Sequence, residues 1–379
     1  MENENTKRAR ISFAAIDPYL ESNIVKPTES KSAGQEFVQW GENNAYPDYL
    51  LSLSKECPTL RSVILGTTDF VVGDNQSVAQ LGGLPQNIMN LRGDTLRGQV
   101  EDLARDFMTY GGFALQVIRG LDGSVVEIYY LDIRFLRSNK DNTVFYYSEK
   151  WASGRRGHMN VYPAFQPISP ERWAQLDEDE RNRHASSVLF VKNIHTQTYP
   201  FPVYGAAVKS CEIERAIDDY HLNAIDNGFT SSLIVNFNNG VPADEIKDEV
   251  ERGFNEKFSG HRNAGRICFS WNDNKDAATT ITEPKVEDFG DRYNALAKHC
   301  RQQIFTAFRA NPNLFGIPTE SLGFSQEEYE SSFRLYNRTC VKPVQRIICD
   351  AYDRIYGQAN VLIFTPFSLD EGRSEQTVN

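Results

Sequence analysis

Apolar positions along the chain recur with two periods, and the switches between them mark the elements. From residue 94 to 111, Leu96, Val100, Leu103, Phe107 and Tyr110 fall at helical spacing, with Asp94 or Thr95 as a cap and Gly111–Gly112 as a stop. The period then becomes two. Phe113, Leu115 and Val117 alternate, a Gly-Leu-Asp-Gly turn stands at 120–123, and Val125, Val126, Ile128 and Tyr130 follow, which predicts a hairpin. A strand from Thr143 to Ser148 is expected to join helix and hairpin in one α+β module. Upstream, Asn43, Asn44 and Pro47 predict a turn, and Pro47 opens a helix carrying Tyr49, Leu50, Leu51 and Leu53. A second helix is expected at about 58–70, with Val71 to Asp74 as a short strand and turn. Residues 169–185 read as one short charged helix, capped by Ser169 with Pro170 in its first turn, and Val188 to Val191 as a strand.

Downstream the organisation changes. Residues 206–232 hold no proline, and their only glycine, Gly228, lies near the end. Val208, Cys211, Ala216, Ile217, Tyr220, Ala224 and Phe229 form a helical stripe, and at 1.5 Å per residue such a helix spans roughly 35–40 Å. A second long helix is predicted from Val286 to Ala310, striped by Phe289, Tyr293, Leu296, Cys300, Ile304, Ala307 and Phe308. Between them, 233–285 reads as a compact insertion: a strand at 233–237, a helix at 242–258, and strands at 266–271 and 279–282. Residues 310–325, rich in Pro, Gly and Asn, predict an ordered loop. A third long helix is expected from Ser325 to about Tyr356, opened by a capping box of Ser325 and Glu328 and kinked by Pro343. Residues 360–367 close the fold as a strand. The polar stretches 1–36 and 369–379 read as a flexible arm and tail.

Composition narrows the classes. With 40% apolar and 24% charged residues in 379, the chain is a folded protein with room for several packed parts. Its formal charge of −11 is the wrong sign for a protein that grips nucleic acid by general phosphate neutralisation. No run of 18 apolar residues predicts a membrane helix, and the first residues lack the apolar core and cleavage site of a secretory signal. The six scattered cysteines read as reduced, mostly buried thiols of a protein made in a cytoplasm.

Candidate chemistry is sparse. There is no CxxC and no HExxH, and the adjacent His299 and Cys300 point about 100° apart on a helix, so no metal or other cofactor is expected. The glycine loops at 120–123 and 260–265 are not followed by the Lys-Ser or Lys-Thr of a phosphate loop, and no GxSxG turn presents a nucleophile. Asp218 and His221 share a helix face at i, i+3, the basis of an alternative hydrolase or transferase reading that requires a pocket enclosing both. Two basic spots stand out: Arg155–Arg156 in a glycine-flanked loop, and Arg252, Lys257, Arg262 and Arg266 in the insertion. Solvated charge is the plain reading of both. Nothing here carries catalysis, and the chain is read as not an enzyme.

The order of elements resembles the portal proteins of tailed bacteriophages over residues 37–368. The resemblance is carried by W-G-E-N-N-x-Y-P-x-x-L at 40–50 followed by V-V-G-D, by FMTYGGFALQVIRGLDGSVVEIYYLDIRFL at 107–136, by VYGAA at 203–207, and by FTAFRANPNLFGI at 305–317. It implies an elongated α+β portal fold: wing 37–204, first stem helix 205–232, clip 233–285, second stem helix 286–310, tunnel loop 311–325, and a long kinked helix with the last wing strand at 326–368. The family's crown would be minimal or absent, because little chain follows. The resemblance further implies a ring of about twelve subunits at one capsid vertex of a virion, through which double-stranded DNA is packaged and ejected. Its partners would be the terminase large subunit, a head–tail adaptor, and the major capsid protein or scaffold, with no membrane. Arg309, Asn311, Asn313, Glu320 and Ser321 would face DNA at the loop and stem end, and Arg252, Lys257, Arg262 and Arg266 would meet motor or adaptor. Another head–tail connector or assembly protein is the nearer alternative.

Overall fold

In this computed structural model the described residues are 25–31, 36–73, 76–78, 88–151, 159–226, 233–237, 242–244, 246–249, 267–271, 289–317 and 326–365. They fall into two units. The larger takes Ile24–Glu212 and His299–Asn379, and the smaller takes Met1–Asn23 and Ile213–Lys298.

The larger unit opens with β1 (Glu29–Ser30) antiparallel to β2 (Gln39–Trp40). Asn43 and Asn44 then turn the chain through left-handed backbone (φ 54 and 61), a conformation Asn tolerates better than other side-chain-bearing residues. Helices α1 (Tyr46–Glu56) and α2 (Pro58–Val72) each hold a proline in the first turn, where the missing N–H costs nothing. The strand expected at Val71–Asp74 is not formed there. Val71 and Val72 are buried in line with Leu60, Val63, Ile64, Thr67 and Thr68, so the helical period continues until Gly73 stops it at φ +63. A short strand, β3 (Gln76–Val78), follows instead.

Helix α3 (Leu96–Tyr110) starts as expected, with the Thr95 hydroxyl accepting from the Gly98 N–H at 3.1 Å. It ends at Gly111, where a β-carbon would lie 2.1 Å from the Phe201 carbonyl oxygen. Strands β4 (Gly112–Arg119) and β5 (Val125–Leu131) form the predicted hairpin. The strand at 143–148 does not extend it. Asp132 caps a single tight turn at Ile133–Phe135, after which β6 (Leu136–Ser138), β7 (Val144–Tyr147) and β8 (Asn160–Pro163) build a separate antiparallel sheet. The charged stretch at 169–185 is two helices, α4 (Pro170–Gln175) and α5 (Glu178–His184). Leu176 turns extended to bury its side chain, and Asp177 caps the second helix by accepting from the Glu180 N–H at 2.8 Å. Strand β9 (Ser186–Lys192) then occupies the free edge of β4, from Gly112 opposite Lys192 to Ile118 opposite Ser186.

Helix α6 (Val208–Asp226) and helix α7 (Phe289–Phe308) are the two long helices read from sequence. In the smaller unit β10 (Leu233–Phe237) pairs in parallel with β11 (Ile267–Trp271), Leu233 opposite Ile267. The third long helix has three parts: α8 (Gln326–Tyr336), a π-helical turn at Asn337–Val341, and α9 (Lys342–Tyr356). Pro343 has no N–H for the Thr339 carbonyl, and its ring would crowd that carbonyl in a regular α-turn. The wider turn relieves both, with the Lys342 N–H reaching back to the Asn337 carbonyl. The irregularity therefore sits one turn before the proline. Strand β12 (Leu362–Phe364) closes the chain against β3, Leu362 opposite Val78. Ser325 of the expected capping box, the strand expected at 279–282, and most of the expected arm and tail lie outside the described residues.

One core joins α1, α2, α3, the β4–β5 hairpin, the ends of α6 and α7, and α9. Polar ties run through it: the Tyr352 hydroxyl donates to Gln99 Oε1 at 2.7 Å, and Gln99 Nε2 donates to the Ile128 carbonyl at 2.8 Å. Cys57, Cys211, Cys300, Cys340 and Cys349 are free thiols. Among the described residues no helix is long and apolar enough to cross a membrane.

Candidate functional site in the paired helices and the 309–317 turn

The stripes of α6 and α7 change character along their length. In the larger unit Val208, Cys211, Cys300, Ile304, Phe305 and Phe308 are buried, and the Tyr204 and Phe308 rings stack with centroids 5.4 Å apart. In the smaller unit Tyr220 stacks on Tyr293 at 4.9 Å, and the His221 ring meets Tyr293 edge-on at 5.7 Å. There Ile217 is buried but several apolar side chains stay open: Ile213 is 38% exposed, Tyr220 48%, Leu222 60% and Leu296 39%. Exposed apolar side chains therefore stand on both long helices.

Asp218 and His221 do not form an acid–base pair. Both are exposed, no hydrogen bond or ion pair between them is present among the described residues, and His221 lies against a ring. The enclosing pocket that the hydrolase or transferase alternative requires is not built around them. Among the described residues no group of three His, Cys, Asp or Glu side chains could hold a metal ion.

Helix α7 ends in a tight C-terminal motif. Arg309 stands in left-handed backbone at φ 54, its N–H bonds to the Thr306 carbonyl at 3.0 Å, and the Ala310 N–H reaches the Phe305 carbonyl at 2.9 Å. This is the paired-bond ending that glycine usually supplies. Asn311 then caps a single turn at Pro312–Phe315, its Oδ1 accepting from the Asn313 N–H at 3.2 Å, and Gly316 closes the turn at φ +78. Two amides tie the turn to α8: Asn311 Nδ2 donates to Ser332 Oγ at 2.7 Å, and Asn313 Nδ2 to Glu328 Oε1 at 3.4 Å.

Leu314 is buried, and the Phe315 ring lies among Phe70, Phe305 and Tyr336 with centroids 5.8–6.2 Å away. Burial pushes the Tyr336 hydroxyl well above the usual phenol range, and that hydroxyl shares a 2.6 Å hydrogen bond with Thr67. The turn is thus anchored at its base by apolar packing and at its side by amides.

Of the residues expected at the loop, Arg309 is exposed, Asn311 is half-buried, and Asn313 is 4% exposed with its Nδ2 directed to Glu328 of α8. Asn311 and Asn313 hold the backbone in place, and only Arg309 presents a charge outward. Glu320, Ser321, Arg155, Arg156, Arg252, Lys257, Arg262 and Arg266 lie outside the described residues. Sequence reading missed the anchor Phe315. Its signal is present only in the pairing of a helix glycine, Gly66, with a ring 249 positions later, and local periodicity does not register that.

The chain is similar to a protein in the virion of a native gene transfer agent particle, with 18% identity, 85% of this chain and 84% of that one covered, and a TM-score of 0.50. It is similar to a protein in the neck of the native particle, solved with C12 symmetry, at 17% identity, 85% and 84% coverage and a TM-score of 0.51. A crystal structure of an HK97-family phage portal protein from Corynebacterium diphtheriae matches at 12% identity, 84% and 94% coverage and a TM-score of 0.48. An uncharacterized protein of Rickettsia felis is 27% identical over 171 residues, 43% of this chain and 41% of that one, so the match spans less than half of that relative. The sequence profile of the family described as phage portal protein matches residues 94–376. That stretch takes in α3, the hairpin, both long helices, the anchored turn and α8–α9, and on it the chain belongs to the phage portal protein family.

Proposed function

We propose that copies of this chain close into a ring of about twelve, set at one vertex of a virion, whose central channel passes double-stranded DNA inward during packaging and outward during ejection. The observation that carries this reading is the set of exposed apolar faces on α6 and α7, with Ile213 and Tyr220 on one side of α6, Leu222 on the opposite side, and Leu296 on α7, in a chain of the portal family. A head-to-tail contact repeated around an axis covers such a face in every subunit, including the first and the last.

The 309–317 turn and the residues after it would form the channel's constriction, with Arg309 toward the DNA and Asn311 and Asn313 fixing its base. Glu320 and Ser321 belong to the same proposed loop. The module between α6 and α7 would dock the terminase large subunit and later a head–tail adaptor through Arg252, Lys257, Arg262 and Arg266. The wing would meet capsid or scaffold protein. An excess of carboxylates, −11 per chain, keeps phosphates from settling on the wall, so DNA slides instead of sticking. No catalytic role is assigned to any residue.

Mass photometry and negative-stain imaging of the purified protein test the ring directly. Rings are expected, and a single monomer peak across salt and concentration would refute them. Deletion of 318–323 spares the anchors Leu314 and Phe315. It should leave rings intact and lower the DNA packaged per particle, and unchanged packaging would overturn the constriction.

A further inference from the structure

The helix after the anchored turn carries a row of cations that the channel assignment leaves without a role. Arg334, Arg338, Lys342 and Arg346 stand four residues apart, and all are exposed. With Asn337 and Pro343 they line one open groove of about 460 Å³, and no carboxylate is among its described lining residues. None of the four makes an ion pair or a side-chain hydrogen bond among the described residues. Other surface arginines of this chain do: Arg105 sits 3.0 Å from Glu101 and 3.1 Å from Asp102, and Arg134 2.5 Å from Asp132. Within the row the neighbour at i±4 is another cation, and carboxylates stand only beyond its ends, Glu330 four residues before Arg334 and Asp350 four residues after Arg346. Such spacing is repulsive along a helix unless an anion enters.

The π turn keeps the row together. In an unbroken α-helix each step of four residues overshoots a full turn by about 40°, so three steps would carry Arg346 about 120° round from Arg334. The wide turn at Asn337–Val341 bonds five residues back and takes up rotation. The four side chains therefore face a single groove. Steps of about 5–6 Å along the axis give a row roughly 16–18 Å long, the length of about five base pairs at 3.4 Å each.

We propose that this groove binds the phosphate backbone of double-stranded nucleic acid, as a contact separate from the 309–317 turn. Three arginines, with no carboxylate among the described lining residues, suit phosphate, which they can hold bidentately. Among the described lining residues the only apolar side chain is Pro343, whereas the centre of a subunit contact is apolar. The source of the duplex rests on the portal reading, and the chemistry of the groove does not.

The test is fluorescence anisotropy of the full-length protein with a labelled duplex of about 30 base pairs, at NaCl from about 50 to 200 mM. Arg338→Gln with Lys342→Gln should weaken binding at least about fivefold at the low-salt end, and should reduce the slope of log K against log[salt] by about 1.8, two phosphates' worth. Arg338→Lys, which keeps the charge, should hold most of the slope. Wild-type affinity and slope in the double variant would overturn the proposal. So would a double variant that binds duplex normally but no longer forms rings, because the row would then be a contact between copies. A wild-type protein that binds duplex with this slope yet never forms rings would sink the portal reading and leave the groove standing.

Discussion

Asn44 and Arg137, 93 residues apart, are joined inside the larger unit by two hydrogen bonds: Arg137 Nε donates to Asn44 Oδ1 at 2.8 Å, and Nη2 to the Asn44 carbonyl at 2.8 Å. The guanidinium is 1% exposed, lies 5.0 Å from the Trp151 ring and 5.8 Å from that of Trp40, and has no carboxylate bonded to it. Burial pushes its pKa down to about 10. Asn44 Oδ1 also accepts from the Trp40 N–H at 3.0 Å, and Trp40 stacks on Tyr199 at 4.7 Å. The left-handed Asn44 thus supplies two of the acceptors that let a charged side chain stay buried, and the Arg134 and Leu136 carbonyls supply the others by accepting from Nη1 at 2.8 and 2.7 Å.

Asn44→Ala removes the side-chain acceptor and places a β-branchless but chiral residue at φ 61. A charge-assisted hydrogen bond is worth about 1.5–3 kcal/mol, so a loss of about 2–4 kcal/mol is expected once backbone strain is added. Denaturant titration of the variant measures it. A loss below about 1 kcal/mol would mean that water replaces the amide and that Arg137 is less enclosed than its contacts indicate.

Gly66 stands in the middle of α2, where Ala would favour the helix by about 1 kcal/mol. A β-carbon there would lie 2.9 Å from two ring atoms of Phe315, the anchor of the 309–317 turn. Overpacking of this kind costs about 1–3 kcal/mol. Gly66→Ala is therefore expected to destabilise the chain by up to about 2 kcal/mol and to loosen the turn. Limited proteolysis would register the second effect as faster cleavage near 312–323. A variant more stable than wild type, cut no faster, would show that Phe315 gives way freely.

Sequence pattern read the helices and the hairpin well because each is stabilised by contacts at its own period. Leu96, Val100, Leu103 and Phe107 are buried as their spacing predicts. It failed where the decision is made by distant groups. Val71 and Val72 look like a strand in isolation, and they finish a helix because α9 packs beside them, with Gln345 Nε2 donating to the Val71 carbonyl at 2.9 Å. The strand at 144–147 looks like the hairpin's third member, but it pairs with β6 and β8 in a sheet of its own, and the third strand beside the hairpin is β9, on the β4 edge. At the candidate site, the Pro/Gly/Asn composition of 310–325 announced an ordered loop. Which of its polar residues face inward was not legible, because Asn311 and Asn313 answer to Ser332 and Glu328 on the following helix. The basic row was written openly at i, i+4, yet its alignment depends on a π turn that periodicity does not foretell.

Arg309 occupies the position at the end of α7 where glycine is the common residue. A side chain in that backbone region costs about 1–2 kcal/mol, partly offset by the greater freedom that glycine brings to the unfolded chain. Arg309→Gly is expected to raise stability by about 0.5–1 kcal/mol while reducing DNA packaged or retained per particle. Thermal unfolding and packaging yield, measured on the same preparation, separate the two effects. If both fall together, the residue's contribution is to the fold. If stability rises and packaging is unchanged, Arg309 does not meet DNA.

Asp106 makes stability depend on pH in an unusual sense. Its carboxyl, on the buried side of α3, accepts from the Tyr130 hydroxyl at 3.0 Å and is raised well above the usual carboxylate range by burial first and by the nearby Asp132 second, with the Tyr130 hydrogen bond and then Arg105 opposing. A carboxyl whose pKa is higher in the folded state binds a proton more readily there than in the unfolded chain. Its contribution is therefore complete below the unfolded value of about 3.9, and it is lost as pH climbs from there toward the folded value. Asp106→Asn keeps an acceptor for Tyr130 and removes the ionisation. The difference in melting temperature, variant minus wild type, should be near zero at about pH 4 and should grow more positive toward pH 8, at about 2–4 °C per kcal/mol for a unit of this size. Subtracting wild type at each pH cancels the other titrating groups that the two proteins share, among them His184. A difference that stays flat over this range would place Asp106 in contact with water and remove the burial that sets its pKa. A difference that turns negative with rising pH would mean that the ionised carboxylate is held by Arg105 after all.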